Sequence, residues 1–109
     1  ARALALDVDD PALAHQLAAA GAGLVIHTAG PFQGQAWAVA QAAAQAGCHY
    51  IDLADGRRFV CDFGPALSDT FRAAGCFAVT GASTVPAPSS AVVDALLPRF
   101  GALAFIDIC

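Results

Sequence analysis

Two carboxylates, Asp52 and Asp55, flank the end of the run HYIDLADG, with Arg57 and Arg58 directly behind them. Paired carboxylates suit general acid–base work, and a neighbouring arginine keeps them ionised. The same two residues also read as turn carboxylates paired with Arg57 or Arg58 at the surface. His27 lies within the apolar run LVIHTA, where it serves either as a proton carrier or as a hydrogen-bonded core residue; we expect the core role. His49 opens the run HYIDLA, and Tyr50 beside it reads as a packing residue. Asp7, Asp9 and Asp10 can accept hydrogen bonds from an amine or a ribose hydroxyl, or form a solvated turn in which Asp9 or Asp10 caps a helix. Asp7 stands closest to the end of its apolar run and is the ligand candidate of the three. Ser83, Thr84, Ser89 and Ser90 surround Pro86 and Pro88, placed either to hold a phosphate or substrate or to cap a helix. The chain has no G-x-S-x-G turn, which disfavours a serine hydrolase.

Composition narrows the partners. The nine acidic residues are all Asp and the five basic ones all Arg, for a net charge of −4 across 109 residues. No basic field exists to draw in a phosphate backbone, so nucleic acid is not an expected partner. Arginine still clamps single phosphates, and Arg57–Arg58 is the one place where two positive charges adjoin. Cys48, Cys61, Cys76 and Cys109 form no C-x-x-C pair, and His15, His27 and His49 keep no regular spacing to them. Zinc sites gather their ligands in close pairs, so no metal is expected; free thiols in a reducing cytoplasm are the simpler reading. No uninterrupted apolar run reaches membrane-spanning length and no basic leader opens the chain. A start at Ala1 without methionine, and an end at Cys109 inside a strand-like run, lead us to expect a piece of a longer protein.

The elements that must position these residues alternate. RALALDV reads as a strand, and Asp9-Asp10-Pro11 opens a helix over ALAHQLAAA that stops at Gly21. LVIHTA is a continuous β-prone run, as in a strand buried on both faces. QAWAVAQAAAQA follows as a helix closed by Gly47, then HYIDLA as a strand. A helix is predicted over residues 62–74, a strand over CFAVTGA, a helix over PSSAVVDALLPRF and a fifth strand over ALAFIDI. Strict alternation with short connections predicts an α/β fold with a parallel, Rossmann-like sheet covered by helices.

In an open parallel sheet, ligands bind beyond the carboxyl ends of the strands. That rule selects the loops at residues 7–11, 29–35, 54–58 and 81–88. The later three precede helix N-termini, whose free N–H groups favour anions. The GAG at Gly21 to Gly23 precedes a strand, so it is a helix stop and not a dinucleotide fingerprint, which follows a strand and opens a helix.

TAGPFQGQAWAVAQAAAQAGCHYIDLADGRRFV, continued by AAGCFAVTGASTVPAPSSAVVDAL, resembles the saccharopine dehydrogenase family of oxidoreductases. The resemblance rests on an AGPF corner after a strand, a G-x-HYxDL strand next and a G-x-S-x-P loop closing the following one. It is nearest to the bacterial saccharopine dehydrogenase-like proteins of unassigned substrate. It implies a partial NAD(P)-binding Rossmann domain over residues 1–101, with residues 102–109 a strand leading into a second domain outside this chain. It implies NADP or NAD as cofactor and hydride transfer to or from a small-molecule substrate, with an oligomer an open possibility. Asp7 is then placed near the adenine, with Ala29, Gly30, Pro31 and Phe32 beneath the ribose and pyrophosphate. Asp52, Asp55, Ser83 and Pro86 are placed toward the nicotinamide. No catalytic acid or base is singled out.

The first two strands and the Gly-rich loop of that pattern have no counterpart in this sequence. In a sheet of order 3-2-1-4-5-6, the absent strands fall between RALALDV and LVIHTA, so the 109 residues are expected to leave a gap and to be inactive alone. A non-catalytic dinucleotide-fold module for sensing or subunit contact is the competing reading. An epimerase of the short-chain-reductase kind needs a Tyr-x-x-x-Lys pair, and the chain has no lysine.

Overall fold

A computed structural model describes residues 3–85 and 87–107. The chain is α/β, with one open sheet of three parallel strands in the order β1-β2-β3. The elements are α1 (Leu13–Ala19), β1 (Leu24–His27), α2 (Ala38–Gln45), β2 (His49–Asp52), α3 (Arg57–Ala73), β3 (Ala78–Val79) and α4 (Ala87–Leu96). A 3-10 turn at Leu97–Arg99 follows α4.

The first three helices end by one device. Gly21, Gly47 and Gly75 take φ near +70°, a conformation that costs glycine nothing. The residue after each donates its N–H back into the last turn: Ala22 to Leu17, Cys48 to Ala43 and Cys76 to Phe71, at 2.8–3.2 Å. This double-bonded stop satisfies orphan carbonyls and turns the chain directly into the sheet. The register is continuous, with Val25 beside Tyr50 and Tyr50 beside Ala78.

α3 begins at Arg57, earlier than the helix predicted over residues 62–74, and runs through Gly64 and Pro65. Its buried residues are Phe59, Phe63, Leu67 and Phe71, one every fourth position and therefore one stripe. Burial of that stripe outweighs the backbone bond that Pro65 removes. Tyr50 stacks on Phe63 at 5.8 Å, and Phe59 sits edge-on to Phe32 at 5.4 Å. Ala40, Ala43 and Ala44 let α2 approach closely, so the core fills one face of the sheet.

The opposite face is bare. Leu24 and Ile26 of β1, Val79 of β3 and the adjacent Phe77 all remain exposed. Parallel sheets ordinarily carry helices on both faces. Two predicted strands also fail to form. Residues 3–8 are exposed and unpaired, since the sheet contains no strand for them to join. Residues 102–107 of the predicted fifth strand are likewise non-strand and exposed, and Ile108 lies outside the described residues. The strand predicted over CFAVTGA shrinks to Ala78–Val79, because its outer edge has no partner. A radius of gyration of 16.4 Å records this openness; a closed domain of this length has about 13 Å. Among the described residues, no helix is long and apolar enough to cross a membrane.

Candidate functional site

Parallel strands deliver their following loops to one edge of the sheet, and here three loops meet at the carboxyl ends of β1, β2 and β3. Asp52, the last residue of β2, joins two of them. It is fully buried, and its Oδ1 accepts hydrogen bonds from the Ala54 N–H (3.0 Å), the Thr80 hydroxyl (3.0 Å) and the Gly81 N–H (2.8 Å). Its backbone carbonyl accepts a fourth from the Ala82 N–H at 2.9 Å. Gly81 presents its N–H from φ +70°, a conformation a side chain there would resist. Bonds to a carboxylate are stronger than neutral ones, so Asp52 fixes where the loops after β2 and β3 leave the sheet.

Asp52 Oδ2 and the Tyr50 hydroxyl are both buried, and the carboxylate is the polar neighbour of the phenol. Burial, with the Asp52 charge beside it, pushes the Tyr50 phenol far above its usual range and keeps it protonated. His27, across the ladder from Asp52, is buried edge-on against Phe32 at 5.1 Å. Burial lowers its pKa, against the opposing pull of Asp52 and Gln35. It is a neutral core residue, as its place in an apolar run suggested.

The loop after β1 carries the AGPF corner. Ala29, Gly30 and Pro31 are exposed, the Gly30–Pro31 peptide is cis, and Phe32 turns inward as the anchor. Phe32 therefore offers a ligand only its backbone, because its ring lies between His27 and Phe59. Gly56 sits close under this loop: a Cβ there would stand 3.4 Å from the Phe32 carbonyl oxygen. Asp55 is exposed and accepts a hydrogen bond from the Gln33 side-chain amide at 2.9 Å, tying the loops after β1 and β2 together. The surface pairing with Arg57 or Arg58 that the sequence suggested is not formed; the ion pair among the described residues is Arg72–Asp69.

Between these loops and the start of α3 lies an open cavity of about 460 Å³, lined by Gln33, Gly34, Gln35, Trp37, Arg57 and Arg58 among others. Trp37 is held by its indole N–H, which donates to the Phe59 carbonyl at 3.2 Å. Arg57 and Arg58 at the start of α3 line this wall beside the indole ring, with the Asp62 carboxylate also on the lining. A second cavity of similar size lies between α4 and residues 97–107, lined by Val92, Leu96, Phe100, Phe105 and Ile106 among others. It is almost wholly apolar and presents no chemistry.

Asp7 lies ahead of α1. Its Oδ1 accepts the Asp9 N–H at 3.0 Å and its carbonyl the Asp10 N–H at 3.2 Å, within its own turn. Asp10 accepts from the Ala12 N–H at 2.8 Å ahead of α1, but neither it nor Asp9 caps the helix: the N-cap is Ala12, which has no side-chain cap. Ser83 is half-buried in the loop after β3, where its carbonyl accepts the Ala87 N–H; Pro86 lies outside the described residues. Of the sequence-derived candidates, the structure thus gathers Ala29, Gly30, Pro31, Phe32, Asp52, Asp55 and Ser83 at one sheet edge, and it shows Asp7 bonded within its own turn. Sequence reasoning missed the anchoring role of Asp52. The signal was available, since period-two alternation in HYID places Asp52 on the same face as the core residue Tyr50.

Compared with models of known families, with curated proteins and with solved structures, the chain matches none.

Proposed function

We propose that this chain is the carboxyl-side half of a Rossmann-like, NAD(P)-binding domain in an oxidoreductase of the saccharopine dehydrogenase-like type. The observation that carries the reading is the convergence of three strand-end loops on one edge of a parallel sheet, with the Ala29–Pro31 backbone exposed and a cavity beside it.

The residues present suit one wall of a dinucleotide site. Gly30 has no Cβ to hold a ligand off its backbone, and Arg57 and Arg58 offer positive charge for phosphates. The Gly-rich turn that receives a pyrophosphate is not among the 109 residues, and a complete site needs one. The nicotinamide, when bound, supplies the hydride; the protein supplies position and the exclusion of water. Asp52 acts through its neighbours. Buried beneath the loops, it holds the backbone at Ala54 and Gly81 so that Asp55 and Ser83 face the substrate side.

Replacing Gly30 by valine in the full-length protein tests this. A Cβ at Gly30 meets only the Phe32 ring and backbone at 3.8 Å, an ordinary contact, and circular dichroism of the variant checks that the fold is kept. Calorimetric titration should then show the Kd for NADPH or NADH rising roughly tenfold or more, the scale of about 1.4 kcal/mol of lost contact. Unchanged affinity for both would remove the corner from the cofactor site.

A further inference from the structure

Cys48 and Cys76 occupy the same place in two successive helix stops. Each follows the left-handed glycine that ends its helix, Gly47 or Gly75, and each N–H is bonded back into that helix. Each then enters its strand two residues before a pair in register, Tyr50 beside Ala78. Continuing that register backwards sets Cys48 beside Cys76 on the core face of adjacent chains, which in a sheet run about 4.8 Å apart. That separation lies within the range a disulfide spans. Both thiols are free.

We propose that Cys48 and Cys76 form a redox pair that closes into an intramolecular disulfide when the protein meets a peroxide. Cys76 is half-exposed and reacts first. Its thiolate sulfur attacks one peroxide oxygen, the S–O bond forms as the O–O bond breaks, and the departing hydroxide takes up a proton as water. Cys48 then attacks the resulting sulfenic sulfur. The S–S bond forms, the S–OH bond breaks, and the hydroxyl leaves as a second water with the Cys48 proton. Two thiols are oxidised and one peroxide is reduced to two waters.

Cys48 is suited to the resolving role. It is fully buried, and its thiol donates to the Ala22 carbonyl at 3.1 Å. Burial shields it from oxidants in bulk solvent. Burial first and Cys76 second raise its pKa, which slows its attack. A rotamer change at Cys48 exchanges the Ala22 contact for the Cys76 sulfur. The bond would tie the amino ends of β2 and β3 across α3, at the sheet edge opposite the candidate site, so it regulates the stability of the layer and not access to the cavity. This inference stands independently of the proposed cofactor.

Trypsin separates all four cysteines: Cys48 falls in Ala3–Arg57, Cys61 in Phe59–Arg72, Cys76 in Ala73–Arg99 and Cys109 in Phe100–Cys109. The test uses the protein with C61S and C109S, treated with hydrogen peroxide and then digested without reductant. Mass spectrometry should find Ala3–Arg57 joined to Ala73–Arg99, with the intact chain about 2 Da lighter and the link reversed by dithiothreitol. C76S removes a half-exposed thiol, is expected to fold, and should abolish the link; C48A, checked first by circular dichroism, should stop Cys76 at the sulfenic or sulfinic state. A Cys76 carried to sulfinic acid with Cys48 intact, or links forming only between chains, would overturn the proposal.

Discussion

The two faces of the sheet belong to the same short strands and differ completely. On one, Tyr50 is fully buried and stacked against α3; on the other, Ile26 is 59% exposed and Phe77 50%. The strand sequences do not explain the contrast, because LVIH is apolar at both Val25 and Ile26. The covering elements do. α2 and α3 follow their strands within this chain and return over one face, whereas nothing described returns over the other. Parallel sheets are ordinarily covered on both faces, and the described residues supply one side.

Substitutions on the two faces should therefore have unequal effects. Phe63→Ala opens the centre of the aromatic stack and should cost about 3–5 kcal/mol in urea denaturation, enough to unfold a marginal domain. A loss below about 1 kcal/mol would mean that the covered face is not the stabilising one.

Asp52→Ala comes next. It strands the Thr80 hydroxyl and two buried N–H donors, and should cost about 2–3 kcal/mol. Asp52→Asn keeps an accepting oxygen and should recover about half of that, with amide exchange at Gly81 close to that of the unaltered protein. Equal losses in the two variants would place the role of Asp52 in its charge and not in its hydrogen bonds.

Tyr50→Phe should have a smaller effect of the same sign. Removing the hydroxyl takes a donor away from the neighbouring Asp52 carboxylate and should cost about 1 kcal/mol. The pH dependence follows the same logic. The phenol is raised in the folded state, so its contribution is complete below the ordinary tyrosine pKa of about 10 and declines above it as the unfolded chain ionises. Tyr50 is the chain's single tyrosine. Tyrosinate absorbance should accordingly rise together with loss of circular dichroism; absorbance rising while the fold persists would contradict its burial. The smallest effect is expected on the bare face, where Ile26→Thr should change stability by no more than about 0.5 kcal/mol.

The alternation of elements was readable in the sequence because its signals are local. Gly21, Gly47 and Gly75 each end a helix where a glycine stop predicts it. α3 starts at Arg57, five residues before the predicted 62–74, because the stripe of Phe59, Phe63, Leu67 and Phe71 gains its burial from tertiary packing and outweighs the local breakers Gly64 and Pro65. RALALDV and ALAFIDI carry strand-like patterns, but a strand is a pairing and not a property of one segment. Neither run has a neighbour in the described chain. The loops of the candidate site were found by the rule for parallel sheets. That Asp52 ties the loop after β2 to the loop after β3 depended on Thr80 and Gly81, distant in sequence and unreadable from it.

The central proposal is that the loops at this sheet edge form one half of a dinucleotide site. Trp37, the single tryptophan, lines the cavity and can report on its occupation. The direct measurement is a tryptophan-fluorescence titration with NADPH and NADH, run on the 109-residue chain and on its full reading frame. Saturable quenching by one of the two in the full protein, at roughly micromolar concentration, with none below roughly millimolar in the 109 residues alone, is the expected result. Micromolar binding to the isolated chain, or no binding of either to the full protein, would contradict it.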